Sequence, residues 1–328
     1  MAMMQTRQMG DLRISRVVEY SAPTHDAGFL FPTLDPARAH SLGKAIGEAH
    51  YVSATRRLVV TIQIWIVHAG ANVILIDTGV GNRKPRQAAR MDMLNTLVPA
   101  WLEAAEAGPE AVTHVVHTHL HADHVGWNTS WVDRRWEPTF PNARYLIPRT
   151  DYAFYQDQSL AGPIGIIDRA FEDSVAPIAE AGLLDLLDDT GEIAGCLEIV
   201  PTPGHSPGQL AYRVRSGGET GLFCADVFHS PLQILDPAVN TAYCALPDEA
   251  RRTRLRVLQA TAAEDTLIMP MHFGAPLLRL RAASGRRLRV QRGRLAGHRR
   301  VSARIVAGRR SKHLFRTEQS IYRACLSN

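Results

Sequence analysis

No run of eighteen apolar residues occurs in the 328-residue sequence, so hydropathy predicts no membrane-spanning helix. The first sixteen residues also lack the apolar core of a secretory signal, and none is expected. Three of the first four residues are Met, which leaves room for a slightly later start. Cysteine is scarce. The four present, Cys196, Cys224, Cys244 and Cys325, form no CxxC pair. That excludes a disulfide framework and a cysteine zinc module, and they read as reduced packing residues of a cytoplasmic protein. Acids are almost missing from residues 277–328, where fourteen Arg and one Lys face Glu318 alone, a net charge of +14. Residues 1–276 hold 22 bases and 31 acids, a net −9. The pI near 9.2 therefore belongs to the tail. The acidic body argues against a nucleic-acid partner, the tail being the one contrary sign.

What is present is a body with 45% hydrophobic residues, enough for a sizeable core. Apolar runs at 12–20, 58–68, 73–77, 112–117, 143–148, 197–201, 209–214, 221–225 and 266–270 predict strands. Helical patterns cover 86–106, a stretch from a Thr150 or Asp151 cap, 164–187 with a break at Pro177, and 248–264. Residues 23–36 read as a loop punctuated by proline. Two β-rich halves with interspersed helices predict two sheets packed face to face with helices outside, as one domain over 1–276. Residues 277–328 read as an Arg-rich appendage, disordered or a non-native terminus, because no sustained apolar period was evident.

Histidine is concentrated. Five of the fourteen, His114, His117, His119, His121 and His124, lie within eleven residues in "VTHVVHTHLHADHVGWN". Were the strand to persist, His119 and His121 would project from one face, while Asp123 and His124 follow where the chain must turn. One pair can then serve one ion and the other pair a second, with nitrogen and oxygen donors suited to zinc, iron, cobalt or manganese. Burying three histidines and an aspartate without partners would cost several kcal/mol in total. His114 and His117, upstream on the strand, read as structural.

This H-x-H-x-D-H string resembles the signature of the metallo-β-lactamase superfamily of hydrolases. The resemblance, over about residues 12–276, implies a third histidine, a bridging aspartate and a last histidine. His205 in "TPGHSPGQ", Asp226 in "GLFCADVFH" and His272 in "LIMPMHFGAP" match in order. It further implies that "VILIDTG" supplies a supporting aspartate, Asp77, and that the fold is an αββα sandwich of two mixed sheets. By the same resemblance His119, His121 and His205 hold one divalent ion, Asp123, His124 and His272 a second, and Asp226 bridges them. Zinc is the first expectation. Asp123 and His229 are the candidate catalytic side chains. Tyrosine often stands near the place of His229 in related lactonases, where it touches the substrate carbonyl.

The activity so implied is hydrolysis of a small, rather apolar substrate (lactone, aryl ester or phosphotriester) by a metal-bound hydroxide. His121 stands where oxygen-reducing diiron relatives carry a carboxylate, which excludes that branch. The rivals are hydrolytic dehalogenation of chlorinated aromatics, and a non-catalytic metal-binding regulator of the same fold. Phe29, Phe31 and Trp127 are candidates to line the pocket, and Cys224 reads as core. The partner expected is a small molecule; the sequence leaves a homodimer open.

Overall fold

In the computed structural model, residues 3–161, 169–273, 278–283, 287–292 and 302–306 are described. The chain opens with β1 (Met4–Met9), β2 (Leu12–Asp26), the turn-like α1 (Ala27–Leu30) and α2 (Pro36–Ile46). There follow β3 (Tyr51–Val52), β4 (Arg57–Ala69), β5 (Asn72–Ile76), α3 (Val98–Ala104) and β6 (His114–Val116). A hairpin of β7 (Thr129–Val132) and β8 (Arg135–Pro138) precedes β9 (Arg144–Pro148), α4 (Arg149–Ala161), α5 (Ala176–Glu180) and β10 (Leu184–Leu187). The second half runs β11 (Glu192–Ile193), β12 (Leu197–Pro201), β13 (Leu210–Ser216), β14 (Glu219–Phe223), α6 (Leu232–Leu235), α7 (Pro247–Ala263) and β15 (Leu267–Met269).

The first sheet has the order β1-β2-β4-β5-β6-β9-β10, with β3 on β4. It is antiparallel up to β5 and parallel from β5 to β10. The second begins β11-β12-β13-β14-β15, with β14 and β15 parallel. Alternate residues decide which face is buried where. Trp65, Val67, Ile74 and Ile76 meet Leu197, Tyr212, Phe223 and Met269 between the sheets. Ile64, Ile66, Leu75 and Val115 face outward and are covered by Val98 and Leu102 of α3 and by Ile178 of α5. Ala211, Leu222 and Ile268 of the second sheet are covered by Val257 and Leu258 of α7. The layers are αββα, as expected.

Four readings of the sequence are corrected. The first strand does not stop at residue 20: β2 runs to Asp26 through irregularities at Val18/Tyr20 and Pro23/His25, the bulge being how Pro23 is accommodated. The supposed loop over 23–36 holds the end of β2 and α1, and at its last residue, Pro36, α2 starts, capped by Asp35, whose carboxylate accepts from the Arg38 N–H at 2.9 Å. The helix read over 86–106 is confined to α3, because residues 82–97 are tied into a loop by side chains described below. Residues 184–187 of the helix read over 164–187 pair in parallel with β9 as β10.

The tail differs as well. The second sheet continues antiparallel through β16 (Leu278–Ala283), β17 (Arg287–Arg292) and β18 (Ser302–Val306). The residues there alternate, Leu278-Arg279-Leu280-Arg281 and Leu288-Arg289-Val290-Gln291, a strand period that a search for sustained apolar runs passes over. Cys325 lies outside the described residues. Among the described residues no helix is long and apolar enough to cross a membrane.

Candidate metal centre

All the predicted ligands lie just beyond strand ends at one edge of the sandwich. β5 and β6 are parallel, so their carboxyl ends deliver Asp77 and residues 117–124 side by side. β12 and β14 both run against β13, and β14 runs with β15, so His205, Asp226 and His272 emerge in the same direction. The strand ends at Val116, so His119 and His121 sit in a loop rather than on one strand face. That loop is docked by Gly126. Its N–H donates to the Gly79 carbonyl at 2.7 Å, and a Cβ there would fall 1.9 Å from the Val80 carbonyl oxygen.

Asp77 is fully buried. It accepts from the Thr118 N–H and hydroxyl, each at 2.8 Å, and from His124 Nδ1 at 2.8 Å. His124 thereby turns Nε2 inward. His272 is oriented in the same manner by donating Nδ1–H to the Thr61 carbonyl at 2.9 Å. His119 Nδ1 lies 3.0 Å from the Thr118 hydroxyl. His121 presents Nδ1 instead, its Nε2 lying 2.7 Å from Tyr155 Oη. Such outer partners select the tautomer and aim the lone pair.

The inward atoms form the two groups expected, and a third, overlapping one joins Asp226, His229 and His272. His121 Nδ1 is 3.0 Å from His119 Nε2 and 2.8 Å from His205 Nε2, and His205 Nε2 is 3.2 Å from Asp226 Oδ2. In the second, His124 Nε2 is 3.7 Å from Asp123 Oδ1 and His272 Nε2 is 3.9 Å from Asp123 Oδ2. Asp226 reaches both: Oδ1 is 3.4 Å from His124 Nε2, and Oδ2 is 3.0 Å from His272 Nε2. His124 Nε2 and Asp226 Oδ1 are buried without a hydrogen-bond partner. Donors on one tetrahedral ion with bonds of about 2.0–2.1 Å lie about 3.4 Å apart, so this donor set fits two divalent ions.

Burial pushes His119 and His121 well below the ordinary histidine value, and the neighbouring imidazoles add to it. That disfavours their charged form and leaves lone pairs for an ion. Burial alone would raise the Asp226 carboxyl, but His272, His124, His229 and His205 together hold it well below the usual carboxylate range. His229 Nε2 lies 3.1 Å from Asp226 Oδ2, its ring stacked on His272, and burial pushes it down to about 3.

The centre forms the floor of a cavity of about 290 Å³, into which His121, Asp123, His205, Asp226, His229 and His272 all open. Phe29, Leu30, Val60, Ile62 and Met91 supply apolar wall, and Thr24, His25, Arg90 and Tyr243 polar wall. Of the three aromatics expected there, only Phe29 takes part. Phe31 is buried with Leu30 and Leu58 in a separate cluster, and Trp127 points away and donates to Glu19 Oε1 at 2.7 Å. Their loops turn these rings into the protein, which periodicity does not reveal. His117 packs behind Asp77 and His114 against Thr113, away from the ligand atoms, as their structural reading implied. Cys224 is fully buried in the core.

Several supporting residues escaped the sequence reading. Asp151, taken there as a helix cap, accepts from Ser206 Oγ at 2.7 Å and from the Gly208 N–H, and so holds the His205 loop; burial raises it to about 6. Tyr155 lies 34 residues from the histidine it touches, a separation with no local signal. Cys244 lies beside His205; burial raises its thiol, but that contact brings it below the ordinary value. Glu19 is buried beneath the Asp77 loop, accepting from the N–H groups of Val80 at 2.6 Å and Gly81 at 3.1 Å.

Comparison with known proteins agrees with this geometry. The family model of the metallo-beta-lactamase superfamily matches residues 58–272, and the chain belongs to that superfamily. A probable metallo-hydrolase of Mycobacterium tuberculosis, Rv2300c, is 27% identical over 180 residues, covering 51% of this chain and 56% of that protein. The N-acyl homoserine lactonase AttM of Azorhizobium caulinodans is 33% identical over 120 residues, 35% of this chain and 41% of the lactonase. The chain thus spans about half the length of the curated relatives it matches. Among solved structures, the hydrolase AbOPH of the beta-lactamase superfamily superposes with TM-score 0.72 at 22% identity, over 95% of this chain and 99% of that one. The dizinc quorum-quenching lactonase AidC, described with an N-acyl-L-homoserine product, gives TM-score 0.69 at 19% identity, over 86% and 94%. These likenesses are of fold.

Proposed function

We propose that the protein is a dinuclear metal-dependent hydrolase of a small ester-like molecule, a lactone, aryl ester or phosphotriester. The observation that carries this reading is the pair of ligand groups sharing Asp226 at the floor of a half-apolar cavity. The lactonase and hydrolase names among its relatives support it. Zinc is the proposed ion, with manganese, cobalt and iron compatible with the same donors. Bound there, two such ions supply a water made acidic at neutral pH, from about 15.7 to about 7, and Lewis acidity toward the oxygen that gains charge.

The chain's own residues do the rest. Asp77, Thr118, Tyr155 and the Thr61 carbonyl lock four imidazoles in place before substrate arrives, so little reorganisation is left for the reaction itself. Asp123, with 19% of its side chain exposed, is the ligand most open to the cavity and is assigned to take up the proton released from the nucleophile. His229, which opens into the cavity with Nε2–H toward Asp226 Oδ2 at 3.1 Å, is assigned to share that N–H with a substrate oxygen. Retention of Asp226 within reach of both groups disfavours the dehalogenase rival.

The test joins metal analysis to a panel of lactones, aryl esters, phosphotriesters and chloroaromatics. Protein loaded with excess zinc or manganese is expected to retain two equivalents and to hydrolyse at least one ester class. One equivalent with chloride release would transfer the assignment to dehalogenation, and two without turnover to a binding protein.

A further inference from the structure

We infer that Arg90 is a specificity-determining residue, selecting esters or lactones that carry a carboxylate remote from the bond cleaved. The inference rests on the hydrolase reading above and names its substrate class. Arg90 is half-buried in the cavity wall. Among the described residues it forms no ion pair with a carboxylate, and the acids lining the cavity, Asp123 and Asp226, both belong to the ligand groups. A guanidinium partly withdrawn from water beside Phe29, Leu30 and Met91 gains most from an oxyanion, which it binds through two parallel N–H donors. Tyr243 stands beside it, its hydroxyl 3.2 Å from His25 Nε2. Burial, with the Arg90 charge next, pushes His25 down to about 4, so Arg90 carries the standing positive charge of this wall.

The loop that presents Arg90 is held in place. The Asn82 side chain accepts from the Thr96 N–H at 2.7 Å and donates to the Thr96 carbonyl at 3.1 Å, closing its ends. Within it, Asp92 Oδ1 accepts from the Arg86 N–H at 2.9 Å. Arg86 forks onto the buried Asp173 at 2.6 and 3.0 Å. The fully buried Lys84 donates to Thr129 Oγ1 at 2.6 Å and to the Asp173 carbonyl at 2.9 Å, and lies 3.7 Å over the Trp136 ring. Two cations buried against one carboxylate are a poor way to gain stability, since each must be desolvated. Their effect here is to hold a non-helical loop, and with it Arg90, at a set place above the centre, which lowers the ordering cost of binding. The apolar wall then receives the chain between carboxylate and ester.

The test uses the zinc-loaded full chain and two esters of equal length, 4-nitrophenyl pentanoate and mono-4-nitrophenyl glutarate, which differ by a terminal carboxylate. Wild-type kcat/KM is expected to favour the glutarate by about 10-fold or more, and Arg90→Ala and Arg90→Gln to bring the ratio near one, chiefly through KM. Arg90→Lys should retain part of the preference. Calorimetric binding of glutarate against pentanoate, free of any turnover, should show the same preference and the same loss. A wild type that hydrolyses both esters equally, or variants that keep the preference, would overturn the inference and leave the hydrolase reading intact. Preferential glutarate binding lost in Arg90→Ala, with neither these esters nor any member of the panel above cleaved, would uphold carboxylate selection and instead remove the hydrolase reading.

Discussion

The two halves of the metal centre are built from similar ligands but held in different ways. In the first, three imidazoles converge, and the known supports of His119 and His121 are neutral hydroxyls, those of Thr118 and Tyr155. In the second, two imidazoles and Asp123 converge, and His124 is supported by a buried carboxylate, Asp77. A carboxylate behind an imidazole makes it a stronger donor than a hydroxyl does. On the reading proposed above, an ion in the first half would be left the more electrophilic, and one in the second would meet more negative charge. Asp226, sharing one carboxylate, is what makes them a single site.

The sharpest way to break this comparison is to remove the shared charge. Asp226→Asn keeps the shape, and it is expected to hold at most one metal equivalent and to lose at least about 10²-fold in turnover. Unchanged metal content and kinetics would mean that the halves are independent. A smaller effect separates the two supports. Asp77→Asn should weaken one of two metal-binding steps by about 10–100-fold, and Tyr155→Phe should weaken the other by less, since the lost partner is neutral. Stepwise zinc titration by calorimetry reads both, and equal losses would remove the asymmetry argued here.

A last effect, on folding rather than on the metals, lies beneath the site. Glu19 is raised to about 7, chiefly by burial, with the donors of Val80, Trp127 and Gly81 opposing. Between the ordinary value of 4.5 and about 7, the folded protein retains a proton that the unfolded chain has released. Stability from this group is thus fully present below that window, falls as pH rises through it and levels off above, by on the order of 3 kcal/mol. Denaturation of wild type and Glu19→Gln from pH 4.5 to 8 is expected to show a flatter profile in the variant. Parallel profiles would mean that Glu19 is ionised in the folded protein throughout.

Much of this molecule was legible in its sequence because the relevant chemistry is local or periodic. His119, His121, Asp123 and His124 announce themselves within six residues, whereas His205, Asp226 and His272 were picked out by the family resemblance, each after an apolar run that suits a buried strand. The αββα layering followed from the same runs, since alternation and length determine which residues can be covered. What tertiary structure alone decided was everything that depends on contact between distant segments. Residues 86–97 carry a helical pattern, yet Asp173, 87 positions from Arg86, holds them as a loop. Tyr155 and Glu19 touch the site's ligands and loops across long separations, and no short-range pattern marks them. Trp127 could face cavity or core by composition, and only the placement of Glu19 settled it, because a buried indole N–H takes the acceptor that the fold provides.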